Sequence, residues 1–321
     1  MIRPEFAMPA HPFAWTRPRA APKALLAAAL AATLAIAAPA RATVSTVDDI
    51  GQTVTLPVAA QRIVSLAPHA TELIYAAGAG ARIVGTVHYS DYPPAARDIP
   101  RVGDNKALDL ERIAALKPDL IVLWRHGNAR KQIEQLRGLG IPVFHSEPRR
   151  LDDIARNLEK LGILLGTAPA AQQAATALRE RVASLRQRYA ARPAVTVFYQ
   201  VWQQPLMTLN GQHLVSEMLE VCGGRNVFAD QAPLVPTVSP EAVLARNPEA
   251  MLAASMGATR SDQPLGDFSQ WMRWKQLTAV ARGNLFTIDG DLLNRAGPRA
   301  VDATAALCEH LETARSRRPA H

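Results

Sequence analysis

The sequence predicts an α/β protein of two lobes, each built on a mostly parallel sheet, joined by one long helix. Three observations carry this. Apolar, β-branched runs alternate with amphipathic stretches in both halves of the chain. The alternation breaks once, over 168–192. A short pattern recurs on either side of the break.

Residues 1–42 precede the fold. Arg17, Arg19 and Lys23 stand before the apolar run ALLAAALAATLAIAA, and Ala40-Arg41-Ala42 supplies an A-x-A cleavage pattern. A secretory signal peptide is expected; a membrane anchor is the lesser reading, because the run is short and alanine-rich. No cysteine follows the run, which argues against a lipid anchor, and no later segment approaches the roughly 18 apolar residues of a membrane helix. The expectation is an exported, periplasmic chain that does not insert into the membrane once cleaved. Loss of the leader lowers the net charge from +8 to +4, as 31 basic residues then face 27 acids. What remains lies along helices such as RERVASLRQR without interleaved aromatics, so no nucleic-acid partner is expected.

The elements then follow in order. After a β-like lead, VSTVDDIGQTVTL, the run RIVSLAP reads as a strand, TELIYAAGAG as a helix ending in glycine and RIVGTVHY as a strand. LDLERIAALKPD is a helix, LIVLWR a strand, ARKQIEQLRGLG a helix and IPVFHSE a strand, completing a lobe over 43–167. From Ala168 to Arg192 strand signals cease, and Leu178, Val182, Leu185 and Tyr189 recur at helical spacing. Pro169 suits a first turn and Pro193 ends the run. Such a helix, roughly 37 Å long at 1.5 Å per residue, suits a strut between lobes. The second lobe, 193–321, reads as AVTVFYQVW strand, HLVSEMLEVCGG helix, SPEAVLARNPEA helix, AMLAAS strand, NLFTIDGD strand and a last helix from about Pro298.

The recurring pattern is DLERIAALKPDLIVL around Glu111 and SPEAVLARNPEAMLA around Glu241. In both, an N-cap residue (Asp109, Ser239) precedes the glutamate by two, and a proline follows it by seven. Each glutamate would favour its helix dipole by up to about 1 kcal/mol. Their equivalence on two similar lobes points further, to docking on a symmetric, basic partner.

Ligands of open parallel sheets bind beyond the carboxyl ends of the strands. There the chain places Tyr89, in the stretch YSDYPP, and Trp124, Trp202, Asp289 and Asp291. Three rings at strand exits in a chain only 5% aromatic describe a flat-walled cleft. Trp202 could equally pack between lobes, and Asp291 could cap a turn. Trp271 and Trp274, at i,i+3 in SQWMRWKQL, read as core on an apolar helix face. Enzyme signatures are missing: there is no GxSxG, no GxGxxG after the first strand, no Walker loop and no HExxH. His69, His88 or His145 with Glu72 would supply a two-histidine, one-carboxylate metal site, but nothing fixes three ligands, and Glu72 reads more simply as an early-turn residue favouring the helix dipole. No catalytic group or metal is assigned. Cys222 and Cys308 fit one disulfide in an oxidising compartment, worth about 4–5 kcal/mol in the chain-entropy picture, or a buried free pair.

From Arg62 to about Leu311 the chain resembles the periplasmic cobalamin-binding proteins that feed an ABC importer, a family of two Rossmann-like lobes around a single backbone helix. The marks are RIVSLAPHATEL, HYSDYPP, LERIAALKPDLIVLWRHGN, LEVCGGRNVF, VSPEAVLARNPEA and RAGPR. The resemblance implies that cobalamin is the transported ligand and that no catalytic cofactor is needed. It implies corrin contacts from Tyr89 and Trp124, and from Asp291 with the backbone of Leu292, Leu293, Asn294 and Arg295. It further implies a Cys222–Cys308 disulfide and a monomer that docks on a permease dimer through Glu111 and Glu241. Asn105, Val235 and Leu292 stand where relatives can carry tryptophan, and Leu293 where one carries phenylalanine; Trp202 stands where a relative has a small residue. Haem or a ferric siderophore is the alternative ligand on the same scaffold, and a metal-dependent hydrolase a remote one.

Overall fold

The computed structural model describes residues 43–104, 106–128, 130–255 and 266–319, together with 10, 14 and 15. The segment 1–42, where a signal peptide is expected, and Asn105 fall outside the described residues, apart from those three early positions. The first element is a hairpin of β1 (Val44–Val47) and β2 (Thr53–Leu56), paired antiparallel. Asp48 closes its turn by accepting the amides of Ile50 and Gln52, and its second oxygen meets His145 Nδ1 at 2.6 Å.

The N-terminal sheet holds β3 (Ile63–Ser65), β4 (Ile83–Thr86), β5 (Leu120–Leu123) and β6 (Val143–His145). Its order is β4-β3-β5-β6 and every pairing is parallel. After the helices comes β7 (Val195–Gln200), then a small hairpin of β8 (Trp202–Gln203) and β9 (Leu206–Met207). The C-terminal sheet adds β10 (Gly224–Asn226), β11 (Ala250–Ser255) and β12 (Leu285–Asp289) to β7 in the order β10-β7-β11-β12, again all parallel. Both orders read second, first, third, fourth. The two lobes therefore share one topology, and the strands' apolar runs are continuous because helices cover both faces.

The helices are α1 (Pro68–Ala76), α2 (Leu110–Ala115), α3 (Arg130–Arg137), α4 (Leu151–Leu165), α5 (Ala168–Tyr189), α6 (Leu214–Val221), α7 (Pro240–Arg246), α8 (Thr278–Ala281), α9 (Gly290–Leu293) and α10 (Ala300–Ser316). Among the described residues none is long and apolar enough to cross a membrane. The predicted strut is α5, ending at Tyr189 rather than Arg192, about 33 Å long for its 22 residues.

Helix α4 adds to the elements expected from the sequence. Leu151, Ile154, Leu158, Leu161 and Leu165 give it a buried stripe at helical spacing. It lies so close to α5 that a Cβ on Gly162 would stand 2.4 Å from that of Ala171. The strut is thus a helix pair, stiffer than one helix alone. SQWMRWKQL is not a helix but a single 3-10 turn, Ser269–Trp271; Trp271 is core all the same, its Nε1 donating to Gln200 Oε1 at 2.8 Å. Cys222, at the C-terminal cap of α6, is disulfide-bonded to Cys308 in α10.

Candidate ligand-binding cleft

In a sheet ordered second-first-third-fourth, the direction of winding reverses between the first and third strands, and the crevice opens there. In the N-terminal lobe this point lies between the carboxyl ends of β3 and β5. His69 follows the first and Trp124 the second, and their rings meet edge-on with centroids 5.6 Å apart.

Trp124 is seated from every side but one. Its amide donates to Asn128 Oδ1 at 3.2 Å, and Asn128 donates in turn to the Leu66 carbonyl. Its Nε1 donates to Glu147 Oε1 at 3.0 Å. Glu147 is held through its own amide by Asp49, which Lys160 and Asn157 of α4 bind. Gly127 lies under the ring: a Cβ there would stand 1.9 Å from Cε3. The free face leaves the side chain 37% exposed. Burial pushes the His69 imidazole down to about 4, against weaker opposing effects from Glu147, the Ser146 hydrogen bond and Asp49, so a neutral ring backs the tryptophan. Gly127→Ala is expected to expel the indole from this seat and weaken ligand binding at least about tenfold with little loss of fold, the usual scale for misplacing a contact surface. Titration calorimetry beside tryptophan fluorescence reads both; unchanged affinity would place Trp124 outside the ligand contact.

Tyr89 lies three residues beyond β4, at φ 67° and 57% exposed. The left-handed backbone costs a tyrosine about 1 kcal/mol. The rest of YSDYPP is braced from behind. Arg101 donates to the carbonyls of Ser90, Ala96 and Ile99, and Arg97 to that of Asp91.

On the opposite lobe, β7 stops at Gln200, and Trp202 belongs to the β8–β9 hairpin rather than to a strand end. Its Nε1 donates to the Gln204 carbonyl, and the ring is 37% exposed. Segment 234–238 runs beside β9 and the residues after it, through Val238 to Leu206, Thr208 to Pro236 and Asn210 to Leu234, placing Leu234 and Val235, both exposed, on the same rim. Asp289, not Asp291, caps α9, accepting the Asp291 amide at 2.8 Å. Asp291 pairs with Arg295 instead, at 2.8 Å. Leu292 is half-buried and packs on the core; the Leu293 side chain is 1% exposed within it, so only its backbone is presented. Asn294 Oδ1 accepts from the Tyr199 hydroxyl at 3.2 Å, joining the end of β7 to this segment.

The two rims meet through charges that sequence reasoning had not paired. Glu72 lies in the second turn of α1, not the first, and is buried. It does not serve the helix dipole. Its Oε1 accepts from Arg295 and from Arg299 Nη2 (2.6 Å), and its Oε2 from Arg299 Nε (3.0 Å). Arg295 Nη1 also donates to Asp91 at 2.8 Å, and the Arg299 guanidinium stacks 3.9 Å over Tyr92. YSDYPP and the 291–299 segment are therefore in direct contact. The only hints were PHATE and RAGPR, two motifs far apart in sequence. Among the described residues no group of three His, Cys, Asp or Glu side chains is placed to hold a metal; His145 is tied to Asp48 and His69 to Ser146.

Glu111 and Glu241 occupy equivalent, exposed positions. Each stands two residues after its cap, where Asp109 accepts the Arg112 amide and Ser239 the Ala242 amide, on the helix that precedes the third strand of its sheet. Both helices are followed by a residue in the left-handed region, Lys117 and Asn247. The Glu241 backbone amide and the Ser239 hydroxyl hold its carboxyl below the usual range.

The family model for periplasmic binding proteins matches residues 63–292. The chain belongs to that family. As a periplasmic binding protein it is 38% identical over 259 residues to the vitamin B12-binding protein of Vibrio cholerae, covering 80% of this chain and 91% of that one. The crystal structure of the periplasmic vitamin B12-binding protein of Vibrio cholerae superposes with a TM-score of 0.71 at 38% identity, over 80% of this chain and 98% of the other. A periplasmic haem-binding protein from Pseudomonas aeruginosa matches at 28% identity and a TM-score of 0.65, over 82% of this chain and 95% of that one.

Proposed function

We propose that this chain captures cobalamin or a related corrinoid between its lobes and delivers it to an inner-membrane ABC importer. The observation that carries the reading is the seat of Trp124. A flat ring, fixed by Gly127, His69, Asn128 and Glu147, presents one face at the switch point of the sheet. A planar macrocycle is the ligand for which such a surface loses least entropy on binding. Tyr89 continues this wall. Trp202, Asp291 and the backbone of Leu292 to Arg295 form the facing one, and Trp202 offsets the aromatics that Val235 and other positions lack.

The protein acts by capture without chemistry. It is exported by a leader over 1–42 and works in the periplasm as a monomer, with lobes of 43–167 and 193–321 about the 168–192 helix. The loaded protein docks through Glu111 and Glu241 on the two subunits of a permease dimer. Haem is the second reading, favoured by the Pseudomonas aeruginosa relative and by His88 beside Tyr89, with ring centroids 6.5 Å apart. Calorimetric titration of residues 43–321 with cyanocobalamin, beside haemin, separates the two. One-to-one binding of the corrinoid alone, tighter than about 1 μM (−8 kcal/mol), is expected. Haemin binding with a Soret shift and no corrinoid heat would reassign the ligand.

A further inference from the structure

Glu72 has a counterpart. In the C-terminal lobe the helix after the first strand is α6, and its Glu217 is likewise buried. Glu217 Oε2 accepts the Leu151 backbone amide at 2.7 Å, and Oε1 accepts from Arg150 Nη2 at 3.2 Å, with Arg186 of α5 at 3.7 Å. Arg150 is the N-cap residue of α4, which follows the fourth strand of the N-terminal lobe; Arg299 is the N-cap residue of α10, which follows the fourth strand of the C-terminal lobe. The sequences agree locally as well: Thr71-Glu72-Leu73 corresponds to Ser216-Glu217-Met218. Each lobe's first helix thus sends a buried carboxylate to an arginine at the start of the other lobe's post-fourth-strand helix.

We propose that Glu72 and Glu217 are a symmetry-related pair of positioning residues that sets the aperture of the cleft. Any rotation that parts the lobes at one pair withdraws a carboxylate from its arginine while it is still out of water, which is strongly resisted. The two pairs are related as the lobes are, so a rotation opening either side parts a buried carboxylate from its partners, more costly at Glu72, whose arginines are enclosed, than at Glu217, whose arginines are half exposed. The Glu72 pair also reaches both ligand rims, through Arg295 to Asp91 and Asp291. The Glu217 pair reaches the strut, through Arg186, beside a cavity of about 470 Å³ lined by Leu178, Val182 and Ala183. The gap between the walls is therefore fixed before a ligand arrives.

The proposal deepens the two-lobe capture reading, but its test needs no ligand. Glu134→Cys and Gln276→Cys give exposed labelling sites on opposite lobes, and the two native cysteines are occupied by their disulfide. Double electron–electron resonance on the apo-protein is expected to show one narrow distance distribution. In Glu72→Gln/Glu217→Gln it should broaden about twofold as minor apertures become populated, and corrinoid release, if the ligand assignment holds, should accelerate. Arg150→Lys/Arg299→Lys, which keeps charge but loses the planar fork, serves if the glutamine pair does not fold. An unchanged distribution in either folded variant would overturn the proposal and leave the aperture to α4 and α5 alone. Failure of the corrinoid assignment would show only in the titration.

Discussion

Reversing both Glu111 and Glu241 to arginine is expected to abolish uptake while leaving corrinoid affinity within about twofold. Both side chains are exposed, lie on the short helices α2 and α7, and contact neither rim of the cleft. Because the two sheets share one strand order, these helices are equivalent elements of two similar lobes. A two-fold permease dimer presenting a basic site on each subunit would meet both carboxylates at once. Reversal turns each attraction into repulsion, and loss of one partner of a charge pair buried in an interface costs about 2–5 kcal/mol, or about 30- to several-thousand-fold. A single reversal should leave reduced uptake, and the double reversal none. Growth of a corrinoid-dependent strain, with titration calorimetry on each purified variant, reads both sides. Uptake that survives the double reversal would reduce these acids to helix-end residues.

Acid is expected to destabilise the fold well before the carboxylates titrate. Burial pushes both His69 and His213 from the ordinary 6.5 down to about 4. His69 is faced by Glu147, Asp49 and Arg295 and leans on Trp124, while His213 caps α6 by accepting the Val215 amide on Nδ1. The unfolded chain binds protons at these sites near pH 6.5 and the folded chain only near 4. Stability is therefore complete above about 6.5 and falls as pH drops toward 4. Each group accounts for roughly 3 kcal/mol across that window and the pair for about 6, a large share of a typical total of 5–15 kcal/mol. Urea midpoints at pH 7 and pH 4.5 measure the loss. His69→Gln/His213→Asn should flatten the dependence whatever it does to absolute stability, because asparagine still caps and neither replacement titrates. An equally steep loss in that variant would assign acid sensitivity to other groups.

Much of the fold was legible because its determinants are local. Buried parallel strands such as Leu120–Leu123 must be continuously apolar, and α5 announced itself through a long helical period between two prolines. The equivalence of Glu111 and Glu241 was legible because cap, acid and proline sit within ten residues. Helix α4 carried an equally plain period and was passed over, whereas β8, β9 and β10, two or three residues each, carry too little pattern to register. Of the candidate site, Tyr89, Trp124 and Asp291 were proposed from strand exits, although Asp291 lies in α9, two residues past β12. Glu147, Gly127 and His69 were not, because what they do for Trp124 depends on how a loop, a strand end and a helix start come together.

The sequence by itself determined the alternating architecture, the strut and the place of Trp124 at a strand exit, since each follows from periodicity and punctuation within about 20 residues. Only the tertiary structure decided that Leu293 faces the core, that Asp289 rather than Asp291 caps α9, and that Glu72 leaves its helix dipole for Arg295 and Arg299. The physical reason is burial. A carboxylate in an early turn is indifferent to its neighbours while exposed. Once it is taken out of water between two lobes it must find a cation, and the cations that answer stand more than 200 residues away in the chain.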